Sequence, residues 1–241
     1  RGDDAEVLRL MLGDPRPEHD EPAVLEARQL YERGEYQKAI NTWPRFAHAE
    51  CKALNKLSKS GDVHEAVMSV DSSIRRIWVS ALQSRLFNAV VAKRIGGLER
   101  LMDGDLAYKH DNGACFAVEN TAFEQPRANA FDISPTGPLI GRRMAMPQGE
   151  ALEIEKSVLD VYGVTPDQFR SSERDRSDGD RRPLRVRPDD LRLEGGVDEH
   201  GRYITFAFTL PPGSYATVLL REFMRNDDQA LPPHEEVSTE E

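Results

Sequence analysis

The chain has 241 residues, 31% of them charged and 39% hydrophobic, with a formal net charge of −10. That length suffices for one large domain or two small ones with a real core, and no apolar run approaches the roughly 18 residues of a membrane-spanning helix. Only two cysteines, Cys51 and Cys115, occur, far apart, which excludes a disulfide framework and predicts a reducing, cytoplasmic setting. The acidic excess argues at first against a nucleic-acid partner. However, the residues from Asn226 to the end contain six acids and neither Lys nor Arg. Residues 226–241 are expected to be a disordered acidic tail, so a basic patch elsewhere stays compatible with RNA.

Residues 5 to about 102 read as helical throughout. EVLRLML and PAVLEARQLYERG end at Gly or Pro, and EYQKAINTW runs to Pro44; Gly34 and Gly61 are expected helix stops between antiparallel neighbours. EARQLYERGEYQKAINTW resembles half of a tetratricopeptide repeat, with Tyr31, Gly34, Tyr36 and Ala39 suitably placed. No second copy follows and a solenoid needs about three, so the segment is expected to be a helical hairpin that packs on its own domain.

The stretch WVSALQSRLFNAVVAKRI, Trp78 to Ile95, places Trp78, Leu82, Leu86, Ala89 and Lys93 on one largely apolar stripe. Gln83, Ser84, Arg85 and Asn88 crowd the same two turns, where a plain surface helix would prefer Glu and Lys. They are expected to fix neighbouring loops by side-chain hydrogen bonds or to line a cleft, since buried polar groups must be paired.

From Asp103 the texture changes. GDLAYKHDNGACFAVEN alternates about Asp111-Asn112-Gly113, a hairpin signal. In AFDISPTGPLIGRRM a strand is expected to run into a rigid Ser134-Pro135-Thr136-Gly137-Pro138 loop ahead of Arg142 and Arg143. GEALEIEKSVLDVYG has helical spacing, and SSERDRSDGDRR reads as a charged, flexible connection. PLRVRPDDLRLEGGVDEHGRYITFAFTL gives two or three strands; Gly96-Gly97 and Gly195-Gly196 read as turns, and His200 sits in another. After Pro211-Pro212, a helix capped by Ser214 is expected to carry Val218, Leu219 and Phe223. The order of elements predicts an α+β or α/β chain, not a bundle.

Metal chemistry finds little support. His48 and Cys51 stand three apart with no second pair, and His19, His64, His110, His200 and His234 are scattered singly, whereas zinc needs three or four ligands. There is no G-x-S-x-G elbow and no phosphate-cradling loop followed by Lys-Ser or Lys-Thr. The helix start at LPPGSYATVLLRE offers free N–H groups and a hydroxyl suited to anionic oxygens, although from the residues alone a Ser N-cap that only starts the helix is the favoured account.

Taken together, VSALQSRLFNAVVAKRI, DGDLAYKHDNGACFAVEN, EQPRANAFDISPTGPLIGRRM, RRPLRVRPDD and FTLPPGSYATVLLRE resemble the TruD family of tRNA pseudouridine synthases. The pieces occur in the family's order and span roughly residues 1–225. The resemblance implies an enzyme without cofactor or metal that isomerises a uridine of tRNA, uridine 13 for bacterial members. Uracil leaves C1′, turns and rejoins through C5, beside a carboxylate and with the nucleotide flipped out. It also implies a catalytic domain interrupted by a TRUD insertion domain, with an RNA cleft between them.

The family's aspartate lies in a Gly-x-Lys-Asp motif, and this chain has no Lys-Asp dipeptide. The chain therefore resembles the C-terminal portion of such an enzyme, inactive by itself. Asp103, Asp105, Asp132, Asp189 and Asp190 lack the catalytic context and take no such role. The fold implied is α+β: a helical and mixed-strand TRUD insertion domain (1–180), then the C-terminal strand-helix part of the catalytic domain (181–225). The expected partner is tRNA, with no membrane, and the full-length form is expected to be monomeric.

Arg85, Arg142, Arg143, Arg181, Arg182, Arg185 and Arg187 are the expected RNA-facing cations; Asp178 and Asp180 nearby also allow a solvated charged face. Related pseudouridine synthases carry a Gly-Ser/Thr-Tyr segment beside the uridine pocket. By that resemblance Ser214, Tyr215, Thr217 and Arg221 are pocket-side candidates. Thr217 stands where some of those families carry Arg, which leaves Arg221 as the nearest cation. Two other readings stay open: a non-catalytic RNA-binding module, or a helical interaction domain built on Tyr31 to Trp43.

Overall fold

A computed structural model describes residues 3–169 and 177–224. They divide into two compact units, one ending at Leu184 and the other starting at Arg185. The expected acidic tail and part of the charged connection lie outside the described residues.

The first unit opens with α1 (Asp4–Leu12), α2 (Pro22–Glu32), α3 (Tyr36–Thr42), α4 (His48–Ser60), α5 (Val63–Ser69) and α6 (Ser72–Arg94). The side chains of Asp3 and Asp62 accept from the N–H groups of Glu6 and Glu65, each at 3.0 Å, satisfying donors that helix starts leave unpaired. Gly61 ends α4 at φ 67°, a left-handed conformation that favours glycine. The helices enclose a core that includes Leu8, Leu12, Leu30, Trp43, Leu54 and Val70. Arg28 donates to the Leu10, Met11 and Gly13 carbonyls at the end of α1 and lies 5.7 Å from the Trp43 ring centroid. The α2–α3 pair brings Tyr31 and Tyr36 to 5.6 Å and packs them against this same core, so the partial repeat closes on its own unit.

The sheet follows: β1 (Leu106–Lys109), β2 (Cys115–Ala117), α7 (Thr121–Asn129), β3 (Ile133–Leu139), α8 (Gly149–Val161), a 3-10 turn (Pro166–Phe169) and β4 (Asp180–Pro183). Strand order is β2-β1-β3-β4, every pairing antiparallel. The expected hairpin is present, with Tyr108 opposite Cys115.

The expected Ser134–Pro138 loop is instead strand β3, buried from Ile133 to Pro138. A strand with two prolines survives at this interior position because the ladder changes sides along it. β1 pairs with residues up to Pro135 and β4 with those from Thr136, so Pro138 lies past the end of β1. Pro135 contributes its carbonyl, which accepts from the Leu184 N–H at 2.9 Å.

Helix α6, 23 residues long, serves two cores. Ile74 and Trp78 pack against the helical core, while Leu82, Leu86, Phe87 and Val90 join Ile140, Val158, Leu159 and Leu184 in a second. The apolar stripe read from the sequence is thus shared between two partners. Gly137 packs tightly beneath it: a Cβ there would stand 3.0 Å from the Phe87 ring and from Leu184, which would have to give way.

The second unit contains β5 (Asp189–Asp198), β6 (Gly201–Thr209) and α9 (Ala216–Met224). Gly195-Gly196 is not a turn but lies within β5, opposite Ile204 and Tyr203. Gly196 fits because a Cβ there would overlap the Tyr203 ring. The turn falls at Glu199-His200, as expected for His200. Leu193 and Phe206 share one face of this ribbon with Gly195 and Ile204, and Phe223 of α9 meets Phe206 at 4.9 Å. The rest of that face is open, with Leu193, Ile204 and Val197 at 56%, 65% and 74% exposure. The Tyr215 carbonyl accepts from Val218 at 3.0 Å, so α9 begins one residue later than a Ser214 cap would place it.

Candidate nucleic-acid interface

The β3–β4 ladder does not stop at Leu139 and Asp180. Beyond them the two limbs cross at Gly141 and Gly179, where a Cβ on Gly141 would overlap the Gly179 backbone. The limbs then join again, with Arg142 N–H donating to Ser177 O at 3.0 Å and Arg143 N–H to Asp178 O at 2.9 Å. Gln83 of α6 donates through Nε2 to the Ile140 carbonyl and to Ser177 Oγ, both at 2.6 Å. The polar cluster on α6 is therefore answered first by Gln83, which ties loops down.

This crossing presents two of the expected cations side by side. Arg143 is exposed. Arg142 is partly exposed and pairs with Asp178 Oδ1 at 2.8 Å; its Nε is buried without a hydrogen-bond partner among the described residues. Arg182 follows along edge strand β4, opposite Gly137, with its guanidinium 5.4 Å from the Phe87 ring centroid. Phe87 and Gln83 are one helical turn apart, so the same face of α6 supports both Arg182 and the crossing. Arg85, exposed, leaves the helix in another direction and lies 5.4 Å from the Tyr162 ring centroid. A ring beneath a guanidinium fixes the plane of the group, and planar guanidinium is the side chain best matched to phosphate oxygens.

Arg181 must be withdrawn from the RNA-facing set. Its side chain is 3% exposed and meets the Glu155 carboxylate through two hydrogen bonds, at 2.6 and 3.0 Å. It also donates to Thr136 Oγ1 and to the Thr136 carbonyl, each at 3.0 Å. Alternation along β4 sends Arg181 inward toward α8, and a fully paired, desolvated guanidinium has no fork left for a phosphate.

Sequence reading missed the buried partner set to which Arg181 belongs. Arg94, at the end of α6, meets Asp105 at 2.6 and 2.9 Å, both side chains almost wholly buried. Thr136 Oγ1 donates to the Leu106 carbonyl at 2.6 Å. Burial pushes the Glu155 carboxyl above its ordinary pKa, opposed by the hydrogen bonds and charge of Arg181. The signal available was the acid in GDLAYK and the lone Glu155 on an otherwise apolar face of α8, neither of which has a sequence neighbour to pair with.

Arg185, half-buried, and Arg187, exposed, belong to the second unit. So do the pocket-side candidates. Ser214 is half-buried, while Tyr215, Thr217 and Arg221 are exposed on or before the first turns of α9. Among the described residues no group of three or more His, Cys, Asp or Glu side chains is arranged to hold a metal ion. No described helix is long and apolar enough to cross a membrane.

The sequence profile of the family tRNA pseudouridine synthase D (TruD) matches residues 1–223. The chain belongs to the TruD family. It is 42% identical over 225 residues to tRNA pseudouridine synthase D of Geobacter metallireducens, a match covering 93% of this chain and 54% of that protein. A tRNA pseudouridine synthase D of Thermus thermophilus is 42% identical over 154 residues, covering 63% of this chain and 40% of its own. A TruD crystal structure from Methanosarcina mazei superposes with a TM-score of 0.78 at 25% identity, over 93% of this chain and 55% of that one. The chain thus spans about half the length of the curated TruD relatives it matches. The mixed α+β TruD fold expected from the sequence is the one observed.

Proposed function

We propose that this chain works as part of a tRNA pseudouridine synthase that converts a uridine, uridine 13, to pseudouridine. In this reading the first unit is the TRUD insertion domain, and the second is the strand-helix return to the catalytic domain. The observation that carries the reading is the match to TruD along nearly the whole chain, combined with a cation-bearing sheet edge at Arg142, Arg143 and Arg182.

Two further observations support the division of labour. The β5–β6 ribbon leaves Leu193, Val197 and Ile204 exposed, an apolar face of the kind that packs against further structure. No Lys-Asp dipeptide occurs, so the nucleophilic carboxylate of the family's Gly-x-Lys-Asp motif is supplied by a segment outside these residues. The role of this chain is to hold the D-arm of tRNA and to form one wall of the uridine pocket through Ser214, Tyr215, Thr217 and Arg221. The enzyme acts without cofactor, in the cytoplasm.

Tritium release from tRNA labelled at uridine C5 tests the assignment. The 241-residue chain is expected to release none, and a polypeptide that also carries the Gly-x-Lys-Asp segment of a TruD relative is expected to turn over. Turnover by the chain alone would make one of its own carboxylates the nucleophile. Absence of tRNA binding by the chain would remove the RNA-holding role.

A further inference from the structure

The amide of Gln83 occupies an unusual place in the first unit. It reaches from the middle of α6 to both limbs of the Gly141–Gly179 crossing at once: to the Ile140 carbonyl, just before Gly141, and to Ser177 Oγ, two residues before Gly179. The two N–H bonds of an amide nitrogen match these two acceptors, whereas a hydroxyl has one and a carboxylate none. Ser177 is also the residue whose carbonyl accepts from Arg142 N–H at 3.0 Å. The backbone that leads to Arg142 and Arg143 is thereby tied to α6 by the Gln83 amide, in addition to the packing of Ile140 in the core that α6 shares.

Arginines on a loose loop lose conformational freedom when they meet phosphate, and a backbone held in place beforehand reduces that loss. Arg142 is confined: its side chain is 28% exposed, its Nε is buried without a hydrogen-bond partner among the described residues, and its Nη2 meets Asp178 Oδ1 at 2.8 Å. We infer that Gln83 is a positioning residue for tRNA binding: by tying both limbs of the crossing to α6, it holds Arg142 and Arg143 in the orientation that meets the ribose-phosphate backbone. The inference rests on the interface proposed above.

The test measures binding of an unmodified tRNA transcript by the 241-residue chain at several salt concentrations, with thermal melts followed by circular dichroism. Arg142→Gln/Arg143→Gln is expected to weaken binding and reduce the salt slope by about 1–2, one for each phosphate no longer neutralised. Gln83→Met is expected to weaken binding roughly tenfold, through the cost of ordering two long side chains. In the Arg142→Gln/Arg143→Gln background, Gln83→Met is expected to do nothing further. Asn55→Ala, which removes an amide bonded to the Cys51 carbonyl far along the chain, controls for a general loss of stability and is expected to leave affinity unchanged.

An equal loss from Gln83→Met in both backgrounds, or no loss in either, would overturn the inference alone. An unchanged affinity and salt slope in Arg142→Gln/Arg143→Gln would overturn the interface itself, and the positioning role with it. Should Gln83→Met fail to fold, Ser177→Ala removes one of its two acceptors and is read the same way.

Discussion

Arg181 Nη2 lies 2.6 Å from Glu155 Oε1 and Nη1 lies 3.0 Å from Oε2, at a site where neither side chain is more than 3% exposed. Two charges this far from water are tolerable only together. Glu155→Ala leaves the guanidinium uncompensated and is expected to cost about 3–5 kcal/mol in urea unfolding. Glu155→Leu combined with Arg181→Met removes both charges and is expected to be much milder. A double variant as unstable as Glu155→Ala would place the cost in packing rather than charge.

The same carboxyl governs a pH effect. Glu155 has its pKa raised in the folded state, chiefly by burial, so the folded chain holds this proton more tightly than the unfolded one. Its contribution to stability is therefore complete below the unfolded value of about 4.5 and is lost as pH rises through the folded value. Carbon-13 titration of the Glu155 carboxyl is expected to give a midpoint above that of exposed glutamates. A midpoint below them would mean that Arg181 outweighs burial.

Asp178 occupies the Arg142 guanidinium much as a phosphate oxygen would, and its side chain is 58% exposed. Asp178→Asn is expected to raise tRNA affinity about twofold to fivefold at low salt, by removing a competing and repelling charge, with the gain shrinking as salt rises. With its Asp178 end exposed, the pair contributes little to folding, so the melting temperature should barely move. A weaker complex would show that Asp178 orients Arg142 rather than competing for it.

Arg221 projects from α9 in the second unit. In a polypeptide that carries the catalytic segment, Arg221→Ala is expected to lower single-turnover pseudouridine formation by roughly tenfold or more, while tRNA affinity and melting temperature change little. Equal, modest losses in all three would assign Arg221 to the scaffold.

The helices were legible because their apolar spacing and their stops are local: Gly34 and Gly61 act within a few residues of themselves. The hairpin before Asn112-Gly113 was legible for the same reason. Strand β3 was not, since Pro135 and Pro138 argue for a loop until their ladder partners are known, and those lie on β1 and β4. Arg181 was misplaced by the same blindness. A charge in a basic run reads as surface, and only the pleat of β4 and the distant Glu155 turn it inward. Gln83 stood out in the sequence as an odd residue, yet its acceptors are 57 and 94 positions away.

Helix α6 has a consequence for how the first unit opens. Its 23 residues span about 35 Å, with Trp78 seated in one core and Leu86 in the other. Neither core can come apart while leaving this shared element intact. Amide hydrogens between Trp78 and Val90 are therefore expected to exchange with deuterium at a single slow rate set by global unfolding. Amides in α1, which packs on the helical core only, have cheaper local routes to solvent.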